Sequence, residues 1–158
     1  MNRRTAFALT GMALLGLAAA GLPQLGFAQN SPLIGTWKLN LDKSKFSPGP
    51  PPRSASLTYT QDVQTNQVID APGNQITAVT MLIFDGQPHP STGAPNYDAR
   101  AYTRLDDNTI VFTNVKAGKL VGIGTQAISQ DGKTLTITQT GTDASGRPVN
   151  SVNVYDKQ

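Results

Sequence analysis

Two-residue alternation of large apolar and wettable side chains, in short runs punctuated by turn residues, constrains this chain more than any other feature. It opens at Gly35-Thr36-Trp37-Lys38-Leu39-Asn40-Leu41-Asp42. An extended backbone there puts Trp37, Leu39 and Leu41 on one face and Lys38, Asn40 and Asp42 on the other, which is a half-buried strand. The period recurs over residues 55–62, where Leu57 and Tyr59 oppose Ser56, Thr58 and Thr60. It is clearest from Lys133, where Thr134, Thr136, Thr138 and Thr140 oppose Leu135, Ile137 and Gln139. Further strands are expected over 97–105, 109–115, 119–129 and 148–155, with a short one over 67–70. Residues 75–84 form a nearly continuous apolar run, expected at the centre of the core. Asp106-Asp107-Asn108, Lys116-Ala117-Gly118, Asp131-Gly132 and Asp143-Ala144-Ser145-Gly146 supply the residues that hairpin turns need.

Counting gives about eight to ten sequential strands and no helix signal. That order predicts an all-β fold, a single up-and-down antiparallel β-barrel, whose closure removes the exposed edges of an open sheet. A two-sheet sandwich is the alternative, and its long crossings would fall on residues 44–53 and 85–96. The first of these, Ser-Lys-Phe-Ser-Pro-Gly-Pro-Pro-Pro-Arg, is a stiff connection expected to close one end of the barrel. The second is a loop of functional length. Gly122 and Gly124 share a face, where a bend or a bulky neighbour such as Trp37 would need their missing side chains.

The first thirty residues do not fit this pattern. Met1-Asn2-Arg3-Arg4 precedes an apolar run from Ala6 to Ala20, and small residues stand at Gly26 and Ala28. A positive start, a greasy middle and a small-residue end make residues 1–28 an export signal, cut before Gln29, with Arg3-Arg4 similar to a twin-arginine type. Gly21, Pro23 and Gln24 break the run short of the ~20 residues that a membrane span needs, so no lasting membrane anchor is expected. Residues 29–158 then form one domain, placed in the periplasm or secreted. Losing Arg3 and Arg4 lowers the formal charge from +3 to +1, which removes any electrostatic case for nucleic acid. The absence of cysteine excludes disulfides, thiolate metal sites and a cysteine nucleophile.

Gly35-Thr36-Trp37 resembles the Gly-x-Trp signature that opens the first strand of lipocalins and related calycin barrels. Adding Lys43-Ser44-Lys45-Phe46, Phe84-Asp85-Gly86, Tyr97-Asp98, the run from Ser129 to Thr136 and the closing Val154-Tyr155-Asp156-Lys157-Gln158, the chain is similar to small exported bacterial proteins described as lipocalin-like. The resemblance implies a periplasmic barrel and no particular activity. It also implies an arginine packed against the first-strand tryptophan, a place open to Arg100, Arg104 or Arg147. The lipocalin Thr-Asp-Tyr motif, disulfides and C-terminal helix are absent.

Arg100, Tyr102 and Arg104 lie two apart and share one strand face. Turned inward, two guanidinium groups and a phenol make a receptor for a carboxylate or phosphate. The Arg-x-Tyr spacing is similar to the carboxylate-binding pair of intracellular fatty-acid carriers, where it stands near the chain's end. The cost of burying charge favours the opposite orientation, with this face outward and solvated. His89, the only histidine, stands between two prolines in the long loop and is expected exposed. The aspartate pairs read as turns, without the ligand spacing of a calcium loop, and no nucleotide-binding, hydrolase-elbow or zinc-protease motif occurs. No cofactor is expected. The first functional expectation is a non-catalytic barrel holding a small hydrophobic or amphipathic ligand, lined by Trp37, Leu57, Tyr59, Arg100, Tyr102 and Arg104. The second is a filled structural or interaction barrel of the cell envelope, and the third an enzyme using the His89 loop.

Overall fold

The computed structural model describes residues 31–158, so the expected export signal lies outside the described residues. Ten strands follow in order: β1 (Gly35–Lys45), β2 (Ser54–Tyr59), β3 (Val63–Ile69), β4 (Gln75–Met81), β5 (His89–Thr92), β6 (Ala99–Arg104), β7 (Thr109–Lys116), β8 (Lys119–Ile128), β9 (Thr134–Thr142) and β10 (Pro148–Lys157). Each pairs antiparallel with its sequence neighbours, and β10 pairs back onto β1, closing one up-and-down barrel. No sandwich forms.

Period-two alternation decides which residues enter the lumen. Trp37 pairs with Leu57, Leu39 with Tyr155, and Tyr155 with Leu135. These side chains join Tyr59, Tyr102, Ile110, Phe112, Ile128 and Ile137 in one core cluster. Burying each large apolar side chain contributes about 1.5–3 kcal/mol before chain entropy is set against it. The end of the barrel holding the start of β1 is closed by Leu33, whose carbonyl accepts a 2.9 Å hydrogen bond from Trp37 Nε1. Lys157 covers the indole, with Nζ 4.9 Å from the ring centroid.

Several elements differ from their sequence expectations. The run over 75–84 is not the centre of the core. As β4 it turns Ala78 and Thr80 inward, while Val79 and Met81 on its other face stay exposed, because a closed barrel has one wet side. The weak strand expected over 67–70 extends back to Val63 as β3. The long loop over 85–96 contains β5, four residues that bridge β4 and β6 through two residue pairs on each side. Gly122 and Gly124 face Asn114 and Phe112 on β7, not Trp37. A Cβ on Gly124 would lie 2.5 Å from Phe112 Cζ and 2.3 Å from the Thr138 carbonyl oxygen.

Candidate functional site

The lumen has two parts. Near the closed end, Trp37, Leu57, Tyr59, Tyr102, Phe112 and Leu135 are at most 1% exposed and fill the space between strands. Toward the other end, the mouth, inward positions become accessible. Asn66 is level with buried Leu57 and Ala78, Asn153 with Ile137, Ser151 with Gln139 and Val149 with Gly141. All four named first in these pairs are only half-buried, and the Ser151 hydroxyl is bonded to Ser47.

Arg100 stands between these parts, and its orientation overturns the expectation of an outward face. The residue is 6% exposed. β6 pairs Tyr102 with Phe112 and Arg104 with Ile110, both core residues, and that register carries Arg100 inside with them. Its Nε donates to Asn114 Oδ1 at 2.7 Å, and its Nη1 to Gln64 Oε1 and the Tyr102 hydroxyl oxygen, each at 3.3 Å. Gln64 belongs to β3, so the side chain crosses the lumen. The Tyr102 hydroxyl in turn donates to Gln64 Oε1. The guanidinium carbon lies 4.3 Å from the Tyr97 ring centroid and 4.5 Å from that of Phe112, which places aromatic rings against the cation.

No carboxylate takes part. Arg100 is the only charged residue among the buried polar side chains of the described residues. Neutral amides, a phenol and ring faces replace the counter-ion, and no hydrogen bond from Nη2 occurs among the described residues. Burial works against the charge, but the phenols of Tyr102 and Tyr97 outweigh it and raise the guanidinium's pKa. Burial likewise pushes the Tyr102 phenol up, with Arg100 drawing it back, and pushes Tyr59 well above its ordinary value. Tyr59 donates to Gln126 Oε1 at 3.2 Å, tying the apolar plug to the polar layer. Gln126 Nε2, Asn66 Oδ1 and Asn153 Oδ1 are buried atoms without a partner.

The residues singled out in the sequence thus divide. Arg100 and Tyr102 belong to the polar layer, while Trp37, Leu57 and Tyr59 pack in the filled end. Arg104 sits at the far end of β6, its guanidinium 4.8 Å over the Phe84 ring. His89 is half-buried and pairs with Asp85, its Nε2 3.0 Å from both carboxylate oxygens. Gln64, Asn114 and Tyr97 were missed. Asn114 had a signal, since it continues the inward parity of Ile110 and Phe112. Among the described residues, no three His, Asp or Glu side chains gather as a metal site.

Clefts open elsewhere too. One of about 480 Å³ runs over β1–β4 past Lys38, Ser54, Gln67 and Thr77, and one of about 440 Å³ lies where β1 leaves β2. A third, of about 400 Å³, is at the mouth between Ser47–Pro50, Asn96, Arg147 and Ser151.

No family model matches the chain, and no curated protein does. Among solved structures, zebrafish ileal bile acid-binding protein complexed with cholic acid is similar, with a TM-score of 0.50 and 16% sequence identity. The match covers 81% of this chain and 100% of that one. At that identity the likeness is one of fold.

Proposed function

We propose that this barrel belongs with the exported lipocalin-like proteins, loses residues 1–28 on export, and binds a small organic acid in its upper lumen without catalysing a reaction. One observation carries the reading: Arg100, a buried guanidinium with no carboxylate partner among the described residues and with Nη2 left over from its hydrogen bonds. A buried cation without an anion is costly, and a ligand carboxylate meeting the open edge of the fork restores the balance. The Tyr97 and Phe112 rings lie 4.3 and 4.5 Å from the guanidinium carbon and take up none of its N–H donors. The similar zebrafish protein was solved with cholic acid, which is in keeping with an acid inside a barrel of this shape. The filled closed end favours a second reading, a ligand-free structural barrel.

The test is native mass spectrometry of the protein purified from periplasm, followed by calorimetric titration with organic acids. The expected results are a mature chain beginning at Gln29 and saturable binding that falls at least tenfold in Arg100→Gln. An apo mass with flat titrations overturns the binding reading and leaves the structural one.

A further inference from the structure

Arg100 is sealed in. It is 6% exposed, and none of the three clefts described above is lined by it. Leu33 is buried at one end of the barrel, and Phe46, just past the end of β1, packs against the core cluster from the mouth. An acid therefore reaches the guanidinium only if part of the structure moves, and the strand pairing shows which part is held least. β5 meets β4 through two residue pairs, Val79 with Thr92 and Thr80 with Ser91, and β6 through two more, His89 with Arg100 and Pro90 with Ala99. The neighbouring β6–β7 ladder has six. Of residues 87–92 only Ser91 is buried, and none belongs to the core cluster, so little apolar burial opposes their departure. Ser91 carries the attachment: its amide donates to the Asp98 carbonyl at 2.8 Å, and its hydroxyl oxygen lies 2.6 Å from that of Thr80. The pair of His89 with Asp85 ties the segment to its own root and to neither neighbouring strand. That root is fixed, because the amide of Gly86 donates to the Tyr102 carbonyl on β6 at 3.0 Å. Glycines in the left-handed region bound the segment, Gly86 at φ 74° and Gly93 at φ 75°. Such positions absorb the backbone rotation that a hinge needs.

We propose that residues 87–92 are a door in the barrel wall, swinging out about Gly86 and Gly93 to open it at the level of Arg100, with which His89 is paired. This rests on the acid-binding role of Arg100. In the strand order β5 alone separates β4 from β6, so its departure leaves a gap of two strand spacings, about 10 Å. That width passes a carboxylate on an aliphatic chain or a single ring. A door sets how fast an acid enters and leaves. It does not alter the closed complex, and so leaves the affinity as it was.

The experiment compares the wild type with Thr80→Cys/Ser91→Cys. The two thiols replace hydroxyls 2.6 Å apart in a chain with no cysteine of its own, so oxidation locks β5 to β4 and reduction frees it. By amide hydrogen exchange, the wild-type Ser91 amide exchanges at least about tenfold faster than amides of the β9–β10 ladder, and oxidation of the double variant slows residues 87–92. Benzoate, decanoate and cholate are then followed by surface plasmon resonance. Each acid that binds associates and dissociates at least about tenfold more slowly in the oxidised form than in the reduced form, with Kd kept within about twofold. A Ser91 amide as slow as those of β9–β10 overturns the door, whichever acid binds. Equal rates in the two forms also overturn it and leave the acid site standing. Binding of none of the three acids to the wild type overturns the acid role of Arg100, and the door with it, even where exchange shows β5 opening. The wild-type exchange does not depend on whether the variant folds.

Discussion

At the scale of single residues, Arg100 is held by geometry that its neighbours make possible. Phe112 reaches it only because Gly124, opposite on β8, has no side chain, whereas a Cβ on Gly122 would meet Asn114 at an ordinary 3.5 Å. Gly124→Ala sets a methyl against the Thr138 carbonyl and the Phe112 ring, and is expected to cost about 1–3 kcal/mol in urea unfolding. Gly49→Ala, with nothing within 4 Å, is expected to stay within about 0.5 kcal/mol. Equal effects would show that the Phe112 packing is dispensable. Arg100→Lys is not conservative here, since a point ammonium cannot serve Asn114, Gln64 and Tyr102 as the fork does. The Arg-x-Tyr-x-Arg face was legible in the sequence but its direction was not. Ala101 and Leu105 on the opposite face look equally suited to a core, and the pairing of Tyr102 with Phe112 settles the matter through a contact that spacing does not reveal.

At the scale of elements, the hairpin turns carry much of the acid response of the fold, with Asp85 and with Asp156 on β10 adding to it. The Asp70 carboxyl is lowered by the Asn74 side chain, Asp106 by the Asn108 amide, Asp131 by the Ser129 hydroxyl and Asp143 by the Arg147 amide. Carboxyls depressed on folding contribute stability that is present above about pH 4 and lost as pH falls through their folded values. Tyr59, Tyr102 and Tyr155 are raised by burial, so their contribution is present below about pH 10 and lost as pH rises through the raised values. The urea midpoint should therefore hold level from pH 6 to 9, drop below pH 4 and drop again above pH 10. A midpoint that rises between pH 4 and 3 would contradict the turn assignments. These turns could be read from Asp, Asn and Gly alone, because their chemistry is local. β5 could not, since His89–Thr92 is flanked by proline and glycine and is a strand only because β4 and β6 stand on either side.

At the scale of the whole molecule, closure of ten strands makes a lumen whose contents differ from end to end. The barrel was legible because alternation and short turns leave few other ways to bury one face of so many strands. The filled end was not, because it depends on Leu33 folding under Trp37 and on aromatic rings from β1, β2, β6 and β7 meeting across the lumen. Nor was the polar layer, whose Gln64, Asn114 and Arg100 lie on three strands. The most direct measurement is a two-dimensional NMR titration of the mature protein with the organic acids used in calorimetry, following the Arg100 Nε–H and the Trp37 indole N–H together. Saturable movement of the Arg100 signal, while the Trp37 indole stays still, is the predicted result. A still Arg100 signal, or shifts confined to the outer cleft over β1–β4, would contradict an acid site inside the barrel.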